Sequence, residues 1–148
     1  MQGTDITVVF DIKKQSHTLQ TLPRAVAKLA ERYLKHDQIL LSSFYWRHLV
    51  LLQKKFPHLK RALIIEPHAF KFTPVLFLSI LFKVSAIHPC LKNMTAKEAA
   101  KFKKNGFAIH SWTVNSKEEM IACRDMGIDG IFTDDARLAK EVLKNHGG

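Results

Sequence analysis

Short apolar runs alternate along this chain with longer segments in which apolar residues recur with helical spacing. Runs rich in β-branched and aromatic residues favour strands, and recurrence about every three or four residues favours helices. The pattern predicts strands at 6–13, 38–44, 61–66, 83–89, 107–115 and 130–134. It predicts helices at 22–35, 45–56, 96–104, 117–126 and 137–145. Strands and helices therefore alternate along most of the sequence.

Two of the predicted helices carry start signals in their first turn. Thr95 with Glu98, and Ser116 with Glu119, each match the capping box, in which two side chains satisfy free backbone N–H groups. Gly106 follows the first of these helices and is typical of a helix end. These signals place a strand-to-helix turn directly after the strand at 107–115.

The segment 74–82 does not fit either simple pattern. It is apolar on almost every side, which is unusual for a helix at a protein surface. We therefore expect either a helix that is buried on most sides or a surface that binds a partner.

The alternation predicts an α/β protein of six βα units with a parallel sheet and right-handed crossovers. The sequence contains neither a P-loop nor a GxGxxG motif, so a nucleotide-binding doubly wound fold has no positive support. Six units match part of an eight-unit TIM-type barrel, which is usually about 250 residues long. We therefore predict a partial TIM-type (β/α) barrel that forms one domain over residues 1–148.

The charge of the chain adds a question about partners, because the formal net charge is +10. Such a charge suits an anionic small molecule, nucleic acid or a membrane surface. Basic clusters such as Lys54-Lys55 and Lys60-Arg61 lack interleaved aromatic residues, which favours solvated helix faces over a nucleic-acid stripe. We expect no nucleic-acid partner.

The same composition bears on location. The longest apolar run, 75–82, is far shorter than the roughly 20 residues that span a bilayer, so no transmembrane segment is predicted. Cys90 and Cys123 are widely spaced and form no CxxC motif. We therefore expect reduced thiols that serve packing, and a cytoplasmic protein.

Two charged residues lie near the end of the first predicted strand. Asp11 and Lys13 are two positions apart, so they share one face of the strand. A carboxylate for a metal ion and an ammonium for a phosphate could then point into one cavity. The same spacing suits an ion pair inside a barrel or two solvated charges, and the residues alone leave all of these open.

The strand at 107–115 places His110 and Trp112 on one side and Ile109 on the other. Trp112 lies next to a βα loop, where α/β folds bind ligands, although a plain core position is equally open. His88 and His110 also lie near strand ends and could be considered as acid and base.

Other polar residues near strand ends are not predicted to be catalytic. Thr133 and Asp134 suit capping and loop ordering for the last helix better than catalysis. Ser42 and Ser43 lack the glycine pattern of a nucleophile elbow, so a serine hydrolase is not predicted.

Five motifs fall near the ends of the predicted strands. In chain order they are VFDIK at 9–13, ILLSSF at 39–44, AIHP at 86–89, HSWTVN at 110–115 and MGIDGIFTD at 126–134. Their order and spacing resemble the glycerophosphodiester phosphodiesterase family, over a stretch from about Ile6 to Leu143. This stretch corresponds to the last six of the family's eight βα units.

The resemblance implies a barrel enzyme of lipid metabolism that hydrolyses glycerophosphodiesters to an alcohol and glycerol 3-phosphate with a divalent metal, Mg²⁺ or Ca²⁺. It implies that Asp11 is a metal ligand, that Lys13 faces the phosphate, and that Trp112 and Phe44 line the substrate pocket. Asp11 stands where the family has glutamate. It keeps a carboxylate oxygen as a hard ligand, but its side chain is one methylene group shorter, so the oxygen lies closer to the backbone.

The family's catalytic histidines and its Glu-x-Asp metal ligands precede the segment that matches Asp11, and this chain has no counterpart of them. We therefore assign no catalytic residue and expect little or no turnover from the isolated chain. One alternative is a non-catalytic binding or oligomerisation module that recruits a partner or a second copy through the open barrel edge and the surface at 74–82. Another is a binder of anionic surfaces, driven by charge.

Overall fold

The fold follows from a computed structural model that describes residues 6–13, 21–67 and 72–144. Its strands are β1 (Val8–Asp11), β2 (Ile39–Ser43), β3 (Lys60–Ile65), β4 (Ala86–Pro89), β5 (Ala108–Ser111) and β6 (Gly130–Ile131). Its helices are α1 (Thr21–Tyr33), α2 (Trp46–Lys55), α3 (Phe72–Leu81), α4 (Ala96–Lys104), α5 (Lys117–Asp125) and α6 (Ala136–Lys144). Short 3-10 turns at His36–Gln38 and Leu91–Asn93 precede β2 and α4.

The strands follow one another in the sheet in chain order, from β1 to β6. In β1 and β2, Val8 lies opposite Ile39 in a parallel pair. In β4 and β5, Ala86 lies opposite Ala108, again in parallel. One helix lies in each crossover between neighbouring strands. The predicted succession of six parallel βα units is therefore confirmed.

The chain divides into two compact units. The first is drawn from residues 1–64 and 76–85, and the second from residues 65–75 and 86–148. The single domain over 1–148 stays a prediction.

The core of the first unit packs α1 and α2 against β1 and β2. Strand residues contribute β-branched and leucine side chains, and α1 contributes alanines, which let the helix approach the sheet closely. Its buried members are Ile12, Ala27, Ala30, Ile39, Leu41, Leu52, Phe56 and Leu59. Burial of this apolar surface at about 25 cal/mol per Å² is the main force that holds the unit together.

The core of the second unit lies between α5, α6 and the strand ends next to them. Its buried members are Val114, Met120, Cys123, Ala139 and Val142. Both predicted capping boxes are present: the Glu98 N–H donates to Thr95 Oγ1, and the Glu119 N–H donates to Ser116 Oγ. These caps start α4 and α5 where the sequence predicts them.

The apolar segment 74–82 forms most of α3 and the turn after it. Val75 and Phe82 are buried, but Phe77, Ile80 and Leu81 are 63%, 57% and 52% exposed. Of the two readings of this segment, burial on most sides is therefore not what the structure has. The exposed apolar face is compatible with a partner surface.

Several predicted strands are longer than the observed ones. The sequence predicts a strand at 107–115, but β5 ends at Ser111. Beyond that point the chain forms the loop to α5, in which the Val114 N–H still donates to the Phe132 carbonyl. Strand length depends on the reach of the neighbouring strand, which apolar pattern alone does not encode. The predicted end of the last helix, at Asn145, lies outside the described residues.

Candidate functional site

The carboxyl ends of β1 and β2 bring together three of the four residues that the sequence singles out. Asp11 is the last residue of β1 and lies opposite Ser42 in the parallel register. Lys13 follows two residues later, and Phe44 follows the end of β2 directly. Because the two strands run in parallel, their ends form one edge of the first unit, and side chains from both strands meet there.

Asp11 and Lys13 form an ion pair in this structure. The Lys13 Nζ lies 2.6 Å from Asp11 Oδ2, and the two side chains are 67% and 38% exposed respectively. The same ammonium lies 5.3 Å from the centre of the Phe44 ring, within the range of a cation–π contact. An ion pair this exposed adds little to stability, so Lys13 is free to exchange its partner for a ligand anion at small cost.

A buried hydrogen-bond network lies directly beneath this edge. Ser43 Oγ donates to the Ile12 carbonyl over 2.7 Å and accepts from the Tyr45 N–H over 3.1 Å. The same oxygen is 2.9 Å from His48 Nδ1. Ser43 and His48 are thus joined by a buried hydrogen bond next to the Ile12 carbonyl. Burial lowers the pKa of His48, against a backbone hydrogen bond at Ile12 that raises it.

This network fixes the backbone on which the site residues stand. Ile12 lies between Asp11 and Lys13, so its carbonyl and its N–H, which donates to the Ser42 carbonyl over 2.8 Å, tie both neighbours to β2. His48 is 1% exposed. This role of Ser43 and His48 was not predicted from the sequence. The small polar pair at the end of an apolar strand was the available signal.

Trp112 belongs to the second unit, where it is half-buried after the end of β5. Its indole N–H donates to the His88 carbonyl over 2.7 Å, and its backbone N–H donates to the Pro89 carbonyl over 3.0 Å. The tryptophan is thus anchored to the end of β4 with part of its surface open to solvent. Its role as a wall of a substrate pocket stays a prediction.

His88 and His110 form a second pair in this unit. His88 Nε2 and His110 Nδ1 are 3.1 Å apart, and the ring centres are 5.0 Å apart. His88 is 1% exposed, and burial, with the nearby His110 as a smaller cause, lowers its pKa to about 3. Burial also lowers the pKa of His110, although Asp129 opposes this effect. A pKa lowered in this way keeps the His88 imidazole neutral at neutral pH.

Gly130 in β6 and Phe132, which follows β6, lie next to the two imidazoles. The Phe132 ring meets His88 edge-on with its centre 4.9 Å away. A Cβ placed on Gly130 would lie 2.9 Å from His110 Cδ2, a contact that real side chains essentially never make. The absence of a side chain at Gly130 is thus what allows the His110 ring its position.

Asp129 anchors the start of β6 from the other side. Its Oδ2 accepts from the Ile109 N–H over 2.9 Å, and its Oδ1 accepts from Lys103 Nζ over 2.7 Å. Burial works to raise the pKa of Asp129, but the bonds from Lys103 and Ile109 outweigh it and hold the pKa below its usual value. The aspartate of the GIDG motif is therefore a structural tie between α4, β5 and β6.

The loops after β5 and β6 are joined by side chains. Asn115 Nδ2 donates to Asp134 Oδ2 over 2.7 Å, and Thr133 Oγ1 donates to Asn115 Oδ1 over 3.3 Å. The predicted loop-ordering role of Thr133 and Asp134 agrees with these contacts. The cap of the last helix is a different residue, because the Leu138 N–H donates to Asp135 Oδ1. The capping part of the prediction for Thr133 and Asp134 is therefore wrong, because loop geometry places Asp135 at the helix start.

One group of metal-ligating side chains in the described part of the chain is close enough to share an ion. It consists of Glu31, His36 and His58, whose ligand atoms all lie within 4.8 Å of one another. Asp11, the predicted metal ligand, is not part of it. Mg²⁺ and Ca²⁺ usually take about six or more oxygen ligands. The Asp11 carboxylate is the right type of ligand for such an ion, but by itself it supplies too few oxygen atoms. Its role as a metal ligand stays a prediction.

Comparisons with known proteins agree with the motifs. The glycerophosphoryl diester phosphodiesterase family model matches residues 5–138. A glycerophosphodiester phosphodiesterase of Caldanaerobacter subterraneus subsp. tengcongensis is 26% identical in an alignment of 148 positions that covers 97% of this chain and 58% of that relative. The chain thus spans little more than half the length of this relative.

Solved structures show the same fold. A phosphodiesterase of Oleispira antarctica in complex with the product sn-glycerol-3-phosphate aligns with a TM-score of 0.84 at 14% identity, over 93% of this chain and 55% of that one. A glycerophosphodiester phosphodiesterase of Parabacteroides distasonis aligns with a TM-score of 0.75 at 18% identity, over 95% of this chain and 57% of that one.

The parallel strand pairs and these likenesses define a partial TIM-type (β/α) barrel, as predicted. No helix in the described part of the chain combines the length and the apolar character needed to cross a bilayer. Since the family model covers residues 5–138, the chain belongs to the glycerophosphoryl diester phosphodiesterase family.

Proposed function

We propose that this chain supplies the substrate-binding side of a site that hydrolyses glycerophosphodiesters to an alcohol and glycerol 3-phosphate. The observation that carries the proposal is the contact of Lys13 with both Asp11 and Phe44 at the carboxyl end of β1 and β2. In TIM-type barrels this end of the strands is where substrates bind. Family membership makes a phosphodiester the expected ligand.

In this proposal each residue has a limited part. The Lys13 ammonium binds a phosphoryl oxygen and leaves Asp11, which offers one hard oxygen to a divalent cation, Mg²⁺ or Ca²⁺. Phe44 offers apolar surface to the glycerol or alcohol portion beside Lys13, and Trp112 stays a predicted substrate-binding residue. A divalent cation, when bound, neutralises charge on the phosphoryl oxygens.

The reaction also requires a proton acceptor for the attacking water and a proton donor for the leaving alkoxide. His88 is a poor proton donor at neutral pH, because it is buried and burial lowers its pKa to about 3. We assign no other described residue to these steps. The proposal therefore includes little or no turnover by the 148-residue chain alone.

The test of this proposal is the binding of glycerol 3-phosphate, which does not depend on turnover. We expect Lys13→Ala to weaken binding roughly tenfold or more, because a hydrogen bond to a charged group contributes about 1.5–3 kcal/mol. Isothermal titration calorimetry measures this change. Lys54→Ala, which removes an exposed lysine on α2, is the matched control and should leave binding unchanged.

A turnover assay completes the test. Release of glycerol 3-phosphate from glycerophosphocholine with added Mg²⁺ or Ca²⁺ should stay near the blank. Robust turnover that Lys13→Ala abolishes would show that the chain does hold an acid and a base. Equal binding by the native chain, Lys13→Ala and Lys54→Ala would remove Lys13 from the site.

The proposal also covers the setting of the reaction. Glycerophosphodiesters are deacylated phospholipids, so the activity would belong to lipid metabolism. Cys90 and Cys123 are both free thiols, which supports a reducing, cytoplasmic location.

A second candidate is a non-catalytic module that binds a partner or a second copy. The exposed apolar residues Phe77, Ile80 and Leu81 on α3 favour it. The outer edges of β1 and β6, the first and last strands in the sheet order, could add main-chain hydrogen bonds. Analytical ultracentrifugation should then detect a concentration-dependent dimer, reduced by Phe77→Ser. A clean monomer at all concentrations would count against this candidate.

A further inference from the structure

Two histidines and a glutamate from three separate segments converge in the first unit. Glu31 lies in the last turn of α1, His36 in the 3-10 turn before β2, and His58 in the turn before β3. Glu31 Oε1 lies 2.6 Å from His58 Nε2 and 3.5 Å from His36 Nε2. The two imidazole centres are 4.6 Å apart. A single carboxylate oxygen is thus shared between two ring nitrogens.

From this geometry we propose that Glu31, His36 and His58 form a binding site for a borderline transition-metal ion, with Zn²⁺ as the best match. Imidazole nitrogen suits zinc and its neighbours, whereas Mg²⁺ and Ca²⁺ prefer oxygen ligands. Two nitrogens and one carboxylate oxygen make a three-ligand set, and water completes a tetrahedron.

The three ligand atoms lie within 4.8 Å of one another, near the spacing of a tetrahedral site. In a tetrahedral zinc site with bonds of about 2.0–2.1 Å, ligand atoms lie about 3.4 Å apart. The 3.5 Å separation of Glu31 Oε1 and His36 Nε2 already fits, and the 2.6 Å contact with His58 must widen. The histidine side chains are 61% and 45% exposed, so their rings can adjust. Metal binding replaces the proton that now joins Glu31 to His58.

The backbone under each ligand is held in place. The Lys35 N–H donates to Gln38 Oε1, and the Gln38 N–H donates to the Lys35 carbonyl, which closes the turn that carries His36. The Arg61 guanidinium donates to the Pro57 and Leu59 carbonyls on both sides of His58. Fixed backbone lowers the entropy cost of binding an ion.

The site lies at the end of the strands that faces away from the proposed phosphodiester site. In the β1–β2 register, Val8 pairs with Ile39 at the amino ends and Asp11 pairs with Ser42 at the carboxyl ends. His36 and His58 precede the amino ends of β2 and β3. Contacts at this end of a TIM-type barrel serve stability. The proposed ion therefore links α1 to the segments that precede β2 and β3. Its role is independent of the phosphodiester hydrolysis.

The experiment is a Zn²⁺ titration of the metal-free 148-residue chain by isothermal titration calorimetry, with Co²⁺ as a visible-absorption probe of tetrahedral geometry. We expect one ion per chain and a rise in melting temperature when Zn²⁺ is added. Glu31→Gln and His58→Ala should each weaken binding at least about tenfold and abolish the rise. Mg²⁺ should not compete.

His146→Ala is the matched control for adventitious binding by a histidine elsewhere in the sequence, and Cys90→Ser is the control for thiol ligation. Both should bind Zn²⁺ as tightly as the native chain. Circular dichroism of each variant without metal reports whether it is folded. Failure of the native chain to bind Zn²⁺ would overturn the proposal. So would equal affinity of the native chain, Glu31→Gln and His58→Ala.

Discussion

Replacing Arg61 with alanine is expected to lower the free energy of unfolding by about 3–5 kcal/mol. Arg61 is 5% exposed, and its guanidinium donates to the Phe56 carbonyl over 3.2 Å and to the Leu59 carbonyl over 2.7 Å. A further bond of 3.1 Å reaches the Lys83 carbonyl. Truncation removes the guanidinium donors, although the Phe56 carbonyl keeps the Leu59 N–H as a donor, and it opens a cavity beside β3.

The structure also shows why lysine is a poor substitute. The planar guanidinium serves several carbonyls at once, whereas an ammonium on a flexible stem cannot reproduce the fork. Burial lowers the pKa of Arg61, but an arginine stays charged at neutral pH. We expect Arg61→Lys to lose a smaller but clear part of the stability.

Urea unfolding followed by circular dichroism measures both losses. Lys60→Ala, one residue away and exposed, is the control and should change the unfolding free energy by less than about 0.5 kcal/mol. An Arg61→Ala variant as stable as Lys60→Ala would show that the guanidinium bonds contribute nothing net. Because Arg61 also supports the turn that carries His58, the variant should bind Zn²⁺ more weakly as well.

Acidification from pH 7 to pH 4 is expected to remove about 3 kcal/mol of folding stability through His88 alone. The pKa of this buried histidine falls from 6.5 to about 3 in the folded protein. Below pH 6.5 the His88 imidazole is protonated in the unfolded chain but stays neutral in the folded protein. The stability is therefore fully present above pH 6.5 and is lost progressively as the pH falls towards about 3.

The test compares unfolding free energies of the native chain and His88→Gln across this pH range. Glutamine can still hydrogen-bond to His110 but does not titrate. We expect the variant to be less stable at pH 7, because it fills the site less well, and to lose less stability on acidification. The pKa values of His110 and His48 are also lowered, so these residues still contribute to the change of unfolding free energy with pH in both proteins. Parallel pH profiles would show that His88 is not the acid-sensitive group.

These two residues show where reasoning from the sequence reaches its limit. The strand that ends in His88-Pro89 follows from its apolar run, but the partner of the imidazole does not. Arg61 reads as a solvated charge in a basic cluster, and the sequence analysis treated it as one. In the structure it is buried because carbonyls of the turn at 56–59 surround it. Such partners come from chain geometry, not from residue type.

The sequence by itself determined the succession of six βα units, the caps of α4 and α5, and the family. Each depends on neighbours a few positions apart, and the physics of helices and strands is local at that range. The placement of Asp11 and Lys13 on one face follows in the same way.

Only the tertiary structure decided that Lys13 contacts Phe44, that His88 is buried against His110, and that Glu31 meets His36 and His58. Most of these partners lie far apart in the chain: Lys13 from Phe44, His88 from His110, and His58 from both Glu31 and His36. Their meeting depends on the register of parallel strands and on how each helix packs back onto them, which is set by the whole core at once.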